Sequence, residues 1–510
     1  MSRAGILPTT PQAPAGAPPA DHSSGDFAQR AGYALLLIYL FDVFARLPEF
    51  SVVFLGSAYF QSPILMGLTA LAAFMTGRML QPVRTRVGRW LLVYNGWLIL
   101  ATPFSFWRTG SLKSLGYSLR FFLFFFLIYA LVRNLDQCRR VMYALAAGAV
   151  PIFLAVAWFG IAPDGRLSVA FGRFRNPNEL AGYILMLTPL WLFVATTKRY
   201  NIAHRVLAFS GCVIALAISV RTGSRGALLM AGIMLLVMFW HYSLAGKVRL
   251  LAVLFPLVVL TSAITPEPLR LRYQATFASE EELTEEPTTW AEVGAFASMQ
   301  AREDLLKHSI ILTLRNPIVG VGPGTFAAAA AADSADRGQR ARWQVTHNTY
   351  TQVSSEAGIP ALIFFLGAII SAYRQVLAVR RLASNQPALA EVRNMAFCLL
   401  LTMTGYCGFG MVNSIAGEFY FYTFMGLLTV VAELAKAQIS ALSARPEASA
   451  TPPHSPGTGG RMGNQVWSGV RLRAGAGMRP AASSNIEDSR GHKTGQFAGG
   501  VKSPGKGRNV

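Results

Sequence analysis

Val206-Leu-Ala-Phe-Ser-Gly-Cys-Val-Ile-Ala-Leu-Ala-Ile-Ser-Val-Arg221-Thr-Gly-Ser-Arg225-Gly-Ala-Leu-Leu-Met-Ala-Gly-Ile-Met-Leu-Leu-Val-Met-Phe-Trp240 is the stretch that decides the fold. Two apolar runs, 205–220 and 226–243, are separated by little more than a Gly-Ser break flanked by two arginines. Runs of this kind suit a hydrocarbon core about 30 Å thick, and so short a break leaves no room for a water-facing domain. The pair reads as two helices crossing a bilayer back to back, with Arg221 and Arg225 at one interface.

Working outward with a window of about 19 residues, further runs fall near 31–45, 61–80, 89–107, 115–133, 140–161, 179–197, 248–265, 359–379, 394–413 and 418–436, giving twelve spans. Asp42 interrupts the first and 50–60 is also apolar, so eleven or thirteen are alternatives, with even parity the main expectation. Composition agrees. The 510 residues are 53% hydrophobic and 14% charged, against about 25% charged in soluble domains, and the mean hydropathy is +0.39. A water-soluble enzyme is excluded, and the expected class is an all-α polytopic membrane protein of about twelve transmembrane helices.

A net charge of +21 invites a nucleic-acid reading, but in a membrane protein basic residues first determine topology. With the N-terminus inside, the short inner segments carry eighteen Lys and Arg and the short outer loops nine. Both termini are therefore expected in the cytoplasm, and nucleic acid is not needed as a partner. The organisation that follows is a disordered cytoplasmic tail over 1–30, helices 1–9 over 31–265, one large outer loop over 266–358, helices 10–12 over 359–440, and a disordered basic tail over 441–510. The first 29 residues lack the apolar core of a cleavable signal. Cys138, Cys212, Cys398 and Cys407 sit in or beside apolar runs without a CxxC pair, so neither a disulfide framework nor a metal site is expected.

Within the large loop, Glu280 to Glu286 form an acidic stretch. From near Ser298 to Arg315 the pattern fits an amphipathic helix, stopped before Asn316-Pro317 and able to lie on the bilayer surface. A second loop helix is expected from Phe326 to about Asp333. Gly320-Val-Gly-Pro-Gly324 superficially resembles a phosphate cradle, but its spacing is not GxGxxG and no strand precedes it, so a turn between two loop helices is preferred.

Cations on the less basic side oppose the topology bias and so invite a functional reading. The guanidiniums of Arg221 and Arg225 suit a lipid diphosphate bidentately, the plainer alternative being snorkelling to headgroups. Arg173 and Arg175 add charge on the same face and are candidates to bind the diphosphate in one anion site with Arg225; they stand ahead of Asn176-Pro-Asn178, where Asn178 is expected to cap the next span. Arg302 lies on the polar side of the first loop helix. His347, shortly before the next span, stays neutral if arginines are near and could then accept a proton from an incoming hydroxyl, although a lone loop histidine is more often a surface or structural residue. His308 has the weaker claim, as a helix-face residue.

Asn176-Pro-Asn-Glu-Leu-Ala181, Thr222-Gly-Ser-Arg-Gly-Ala227, Asn316-Pro-Ile-Val-Gly-Val-Gly-Pro-Gly-Thr-Phe326 and His347-Asn348 through Glu356-Ala-Gly-Ile-Pro360, taken in this order, resemble the O-antigen ligase and polymerase superfamily of bacterial envelopes. Two family patterns fit: Arg-x3-Leu as Arg225 to Leu229, and His-x10-Gly as His347 to Gly358. The resemblance covers about residues 31–436 and implies a bacterial inner membrane, with the large outer loop in the periplasm. It implies a glycan transferase that moves a glycan from undecaprenyl diphosphate to an acceptor hydroxyl at the periplasmic face, without metal, nucleotide sugar or other cofactor. It implies that Arg225 and Arg302 bind the diphosphate and that His347 assists deprotonation of the acceptor, with Asn176, Asn178, Asn348 and Gly358 supporting the motifs. Lipid A core, another lipid-linked glycan and a protein hydroxyl are the acceptor classes, so ligase, polymerase and protein O-oligosaccharyltransferase all share the pattern. A flippase or transporter is the reading from a different class, weakened by the lack of an internal repeat.

Overall fold

The computed structural model describes residues 22–57, 61–163, 165–263, 265–274, 290–338, 343–384 and 386–443. The expected tails beyond these limits and the acidic stretch Glu280 to Glu286 lie outside the described residues.

The first half of the chain forms α1 (His22–Phe44), α2 (Leu47–Leu55), α3 (Gln61–Met75), α4 (Arg86–Ala101), α5 (Arg108–Leu131), α6 (Leu135–Ala147), α7 (Val150–Phe159), α8 (Pro177–Thr196), α9 (Ile202–Arg221), α10 (Arg225–His241) and α11 (Leu244–Ala263). The long loop supplies α12 (Glu267–Gln274), α13 (Trp290–Arg315) and α14 (Phe326–Asp336), and the chain continues through α15 (Thr349–Leu382), α16 (Ala390–Gly410) and α17 (Phe419–Ser443). The one β element among the described residues is a two-residue antiparallel pairing of Gly160–Ile161 with Ser168–Val169.

Every apolar run of the sequence has most of its length in helix, but length and apolarity separate them. Eight stretches can cross a membrane by both measures: Phe27–Phe44, Arg108–Leu131, Leu135–Phe159, Pro177–Thr196, Ile202–Arg221, Leu244–Ala263, Thr349–Leu382 and Phe419–Ala441. The chain is thus an all-α, multi-pass membrane protein with eight such stretches among the described residues, and the expected count of about twelve rests on the shorter or more polar helices α3, α4, α10 and α16 as well. α3 and α10 are apolar but shorter, at 15 and 17 residues, while α4 and α16 begin with charged first turns. The run at 140–161 is two helices, because Gly148, Ala149 and Pro151 interrupt it.

Sequence chemistry sets the ends of the helices. Side chains of Thr85, Asn134, Asn176, Asn201, Ser224 and Asn348 each accept a backbone N–H in the first turn of the helix that follows. In apolar surroundings an unpaired hydroxyl is costly, so Thr69, Thr188, Ser219, Thr261, Thr402 and Thr429 donate to the carbonyl four residues back.

Burial then sorts the helices by position. α8 and α16 bury residues on nearly every face and pack against each other at the centre. α11 buries only Thr261 and exposes Leu251, Phe255, Val258, Val259 and Leu260. So wide an apolar surface suits lipid and not water. The four cysteines are free. In the long loop, α13 packs along α15 and also touches α12 and α14. It does not lie on the bilayer alone: Leu312 and Ser309 face the protein, while Leu306, Ile310 and Leu314 remain exposed.

Candidate functional site

The turn between α9 and α10 is built to present Arg225. Thr222 donates its hydroxyl to Ser219 O (2.6 Å), Gly223 takes a left-handed conformation (φ 62°), and Ser224 caps α10 by accepting Ala227 N–H. Carbonyls left over at the end of α9 are claimed by residues far away in sequence. Arg166 Nε donates to Thr222 O (2.9 Å), Arg272 Nε to Gly223 O (3.1 Å), and Tyr273 Oη to Val220 O (2.7 Å). Arg225 is the first residue of α10 and is half-buried. Its neighbour Arg221 ends α9, and its buried Nε has no hydrogen-bond partner among the described residues.

Arg302 reaches the same place from α13 and His347 from the start of α15. Burial, and next the charge of Arg225, lower the pKa of Arg302 below the ordinary arginine value. Burial, and next the charge of Arg302, likewise lower His347 below 6.5. His347 is therefore a neutral imidazole near pH 7, able to accept a proton. Its backbone has φ 52°, a conformation that is uncommon and mildly strained outside glycine. That kink lets Asn348 behind it cap α15, where its side chain accepts the N–H groups of Tyr350 (2.9 Å) and Thr351 (3.1 Å).

Gly358 explains how the long loop is held. At φ 82° and ψ 174° it breaks α15, and a Cβ there would stand 1.9 Å from Ile318 O. The break frees carbonyls and N–H groups that Asn316 to Gly322 then pair: Val321 N–H donates to Ser355 O, Gly322 N–H to Glu356 O, and Ile359 N–H to Pro317 O, all at 2.8 Å. Gly320 is needed for the same close approach, since a Cβ there would lie 2.3 Å from the Glu356 carbonyl carbon. The Gly-Val-Gly-Pro-Gly segment is thus the turn between α13 and α14. Two of its N–H groups are spent on α15, and Gly324 N–H donates to the Glu356 carboxylate (2.9 Å).

The remaining sequence candidates fall elsewhere. Arg173 is held by the carboxylates of Glu179 and Glu418, and its backbone N–H donates to Glu49 (3.2 Å). Arg175 is exposed on the same short 3-10 turn. The expected cap of α8 shifts by two residues. Asn176 accepts Asn178 N–H (2.9 Å), because the cap must stand immediately before Pro177 at the first helical position. Asn178 instead accepts Arg166 Nη2 (2.9 Å), and through it the Asn-Pro-Asn motif braces the Arg225 turn. His308 pairs with Asp333 (2.7 Å), which also receives Arg315 (2.8 Å) and Arg337, so His308 is a strut between α13 and α14.

Arg166, Arg272 and Tyr273 were not singled out by the sequence. The only available signal was two basic residues on the less basic side, and separations of 56 and 49 residues from their carbonyls hide the pairing. Among the described residues no three His, Cys, Asp or Glu side chains gather where they could hold a metal ion.

Residues 210–366 match the family model described as O-antigen ligase. The matched segment runs from α9 into α15 and contains Arg225, Arg302, His347 and Gly358, whereas Arg173 and the Asn-Pro-Asn motif precede it. No curated protein matches the chain. Both of its sequence patterns, Arg225 to Leu229 and His347 to Gly358, lie inside that segment, so this part of the chain is similar to the O-antigen ligase family.

Proposed function

We propose that the protein is an inner-membrane glycan transferase of the O-antigen ligase kind, moving a glycan from undecaprenyl diphosphate to an acceptor hydroxyl at the periplasmic face. The observation that carries this reading is the shared electrostatic neighbourhood of Arg225, Arg302 and His347 within the matched segment. Two guanidiniums in one electrostatic neighbourhood attract an anion, and a diphosphate offers one with matching bidentate geometry. The acceptor oxygen attacks the anomeric carbon, and its proton passes to neutral His347. The bond from that carbon to the diphosphate oxygen breaks, and undecaprenyl diphosphate leaves with the electron pair. The arginines stabilise charge as it grows on the leaving group, and acting together they outweigh the contribution of the base, although each alone contributes less. Lipid A core is the favoured acceptor, as in a ligase; another lipid-linked glycan or a protein hydroxyl would make the protein a polymerase or an O-oligosaccharyltransferase.

The test is reconstitution of the purified full chain in liposomes with a lipid-linked glycan and each acceptor class in turn. New glycosidic product with one acceptor supports the proposal and names the branch. Movement of the donor across the bilayer without product would make the protein a flippase, and full transfer by Arg225→Ala would overturn the role of the arginines.

A further inference from the structure

A second cationic assembly lies at the other end of the bundle. Near the long loop, Trp97 Nε1 of α4 donates to Ala357 O of α15 (2.9 Å). Further along the same pair of helices Trp90 stacks onto Gly367, where a Cβ would come within 2.6 Å of the indole. Arg374 is seventeen residues beyond Ala357, about 25 Å along α15 at 1.5 Å per residue. There a cavity of about 500 Å³ is lined by Arg84, Arg86, Arg89, Arg374 and Lys436, with Glu433 the one carboxylate among its lining residues. Glu433 accepts a hydrogen bond from Tyr129.

Topology alone asks only that cations lie on this side of the membrane, not that α4, α15 and the segment before α4 aim them at one cavity. Their placement is also unfavourable by itself. Thr85 caps α4 by accepting Gly88 N–H (2.9 Å), which fixes Arg84, Arg86 and Arg89 around the positive end of a 16-residue helix, where the macrodipole disfavours cations and attracts anions. A bound anion reverses that sign.

The cavity continues into an apolar slot of about 370 Å³ that shares Arg86 and Arg89 and is completed by Trp90 and Val93. Phe364 braces Trp90 at 6.2 Å between ring centroids, and Val93 is exposed on the outward face of α4. A basic cavity opening onto an apolar slot matches an amphiphile, and a free phosphate would use only the first part. Gln375 lines the cavity too, and its buried Oε1 has no donor among the described residues. A headgroup hydroxyl supplies one.

We propose that this is a binding site for an anionic phospholipid of the phosphatidylglycerol class, its phosphate among the arginines and an acyl chain along Trp90 and Val93. Basic pockets between helices on the cytoplasmic side are suited to such headgroups.

The experiment is native mass spectrometry of the full chain in detergent, titrated with phosphatidylglycerol, phosphatidylcholine or inorganic phosphate. Phosphatidylglycerol should be retained at least about tenfold more tightly than phosphatidylcholine. Each cation removed should weaken that preference by about fivefold, so Arg89→Gln with Arg374→Gln should nearly abolish it. Trp90→Ala should weaken retention of the lipid and leave inorganic phosphate binding unchanged. Lys198→Gln with Arg249→Gln, expected on the same membrane side but outside the cavity, should change nothing. Equal retention of the two lipids, an unaltered preference in a monodisperse Arg89/Arg374 variant, or displacement of the lipid by millimolar inorganic phosphate would each overturn the proposal. These readouts involve no glycan transfer and so stand apart from the proposed reaction.

Discussion

Arg173 and Arg302 sit at the same end of the bundle, yet their surroundings are opposite. Arg173 is clasped by Glu179 and Glu418, so its charge is spent on joining the start of α8 to the link between α16 and α17. Arg302 has another arginine as the charge that most affects it, and beyond that a neutral histidine. Residue type is the same, so it does not separate a cation held by carboxylates from one whose strongest charged neighbour is another cation. Compensation does, and it is visible only in three dimensions.

The comparison can be broken in four places. His347→Ala is expected to lower transfer by about 10²- to 10⁴-fold, the usual contribution of a positioned base, with donor binding retained. Single-turnover assays beside donor-binding isotherms check this, and unchanged turnover across pH would remove His347 as the base. Arg225→Ala or Arg302→Ala should cost about 10²- to 10³-fold in transfer, and Arg302→Ala should not lower the unfolding temperature, since it removes a half-buried cation from beside another. Arg173→Ala should do the reverse. Loss of one partner leaves Glu179 and Glu418 uncompensated and should destabilise the fold by about 2 kcal/mol, below the range for fully buried pairs because all three side chains are partly exposed. Transfer per folded molecule should survive, and thermal unfolding in detergent paired with activity separates the two effects.

The smaller effects sharpen the contrast. Asn178→Ala removes only the acceptor that steadies Arg166, so a loss of about tenfold is expected, equivalent to one hydrogen bond, and less than for either site arginine. The acid limb of the pH profile should lie below 6.5, because transfer needs neutral His347 and burial with the Arg302 charge lowers its pKa. Arg302→Gln removes one of those causes, so the limb of the residual activity should move to higher pH. A limb that stays in place would separate His347 from Arg302.

Sequence legibility follows the same division. Apolar runs announce the helices because burial in lipid demands uninterrupted apolar faces, and all twelve runs have most of their length in helix. The count of spans was less legible, since it depends on where Gly148, Ala149 and Pro151 divide one run and where charged first turns shorten others. Arg225 and His347 could be read because their motifs are local. The bracing of the Arg225 turn by Arg166 and Arg272 could not, because hydrogen bonds to main-chain carbonyls leave no pattern in the acceptor's side chains. The cap of α8 has two asparagines as candidates, Asn176 and Asn178, and the proline between them decides for Asn176.

The joint between the long loop and α15 has a consequence for how such a protein can diversify. Its hydrogen bonds to Ser355, Glu356 and Ile359 run from main chain to main chain, so apart from the glycines at 320, 322 and 358 these bonds make little demand on side-chain identity. Residues 318 and 319, which are not buried, can change size or polarity while α13 keeps its register on α15. A fastening of this kind lets evolution rewrite the surface of the loop without moving α13 relative to the start of α15.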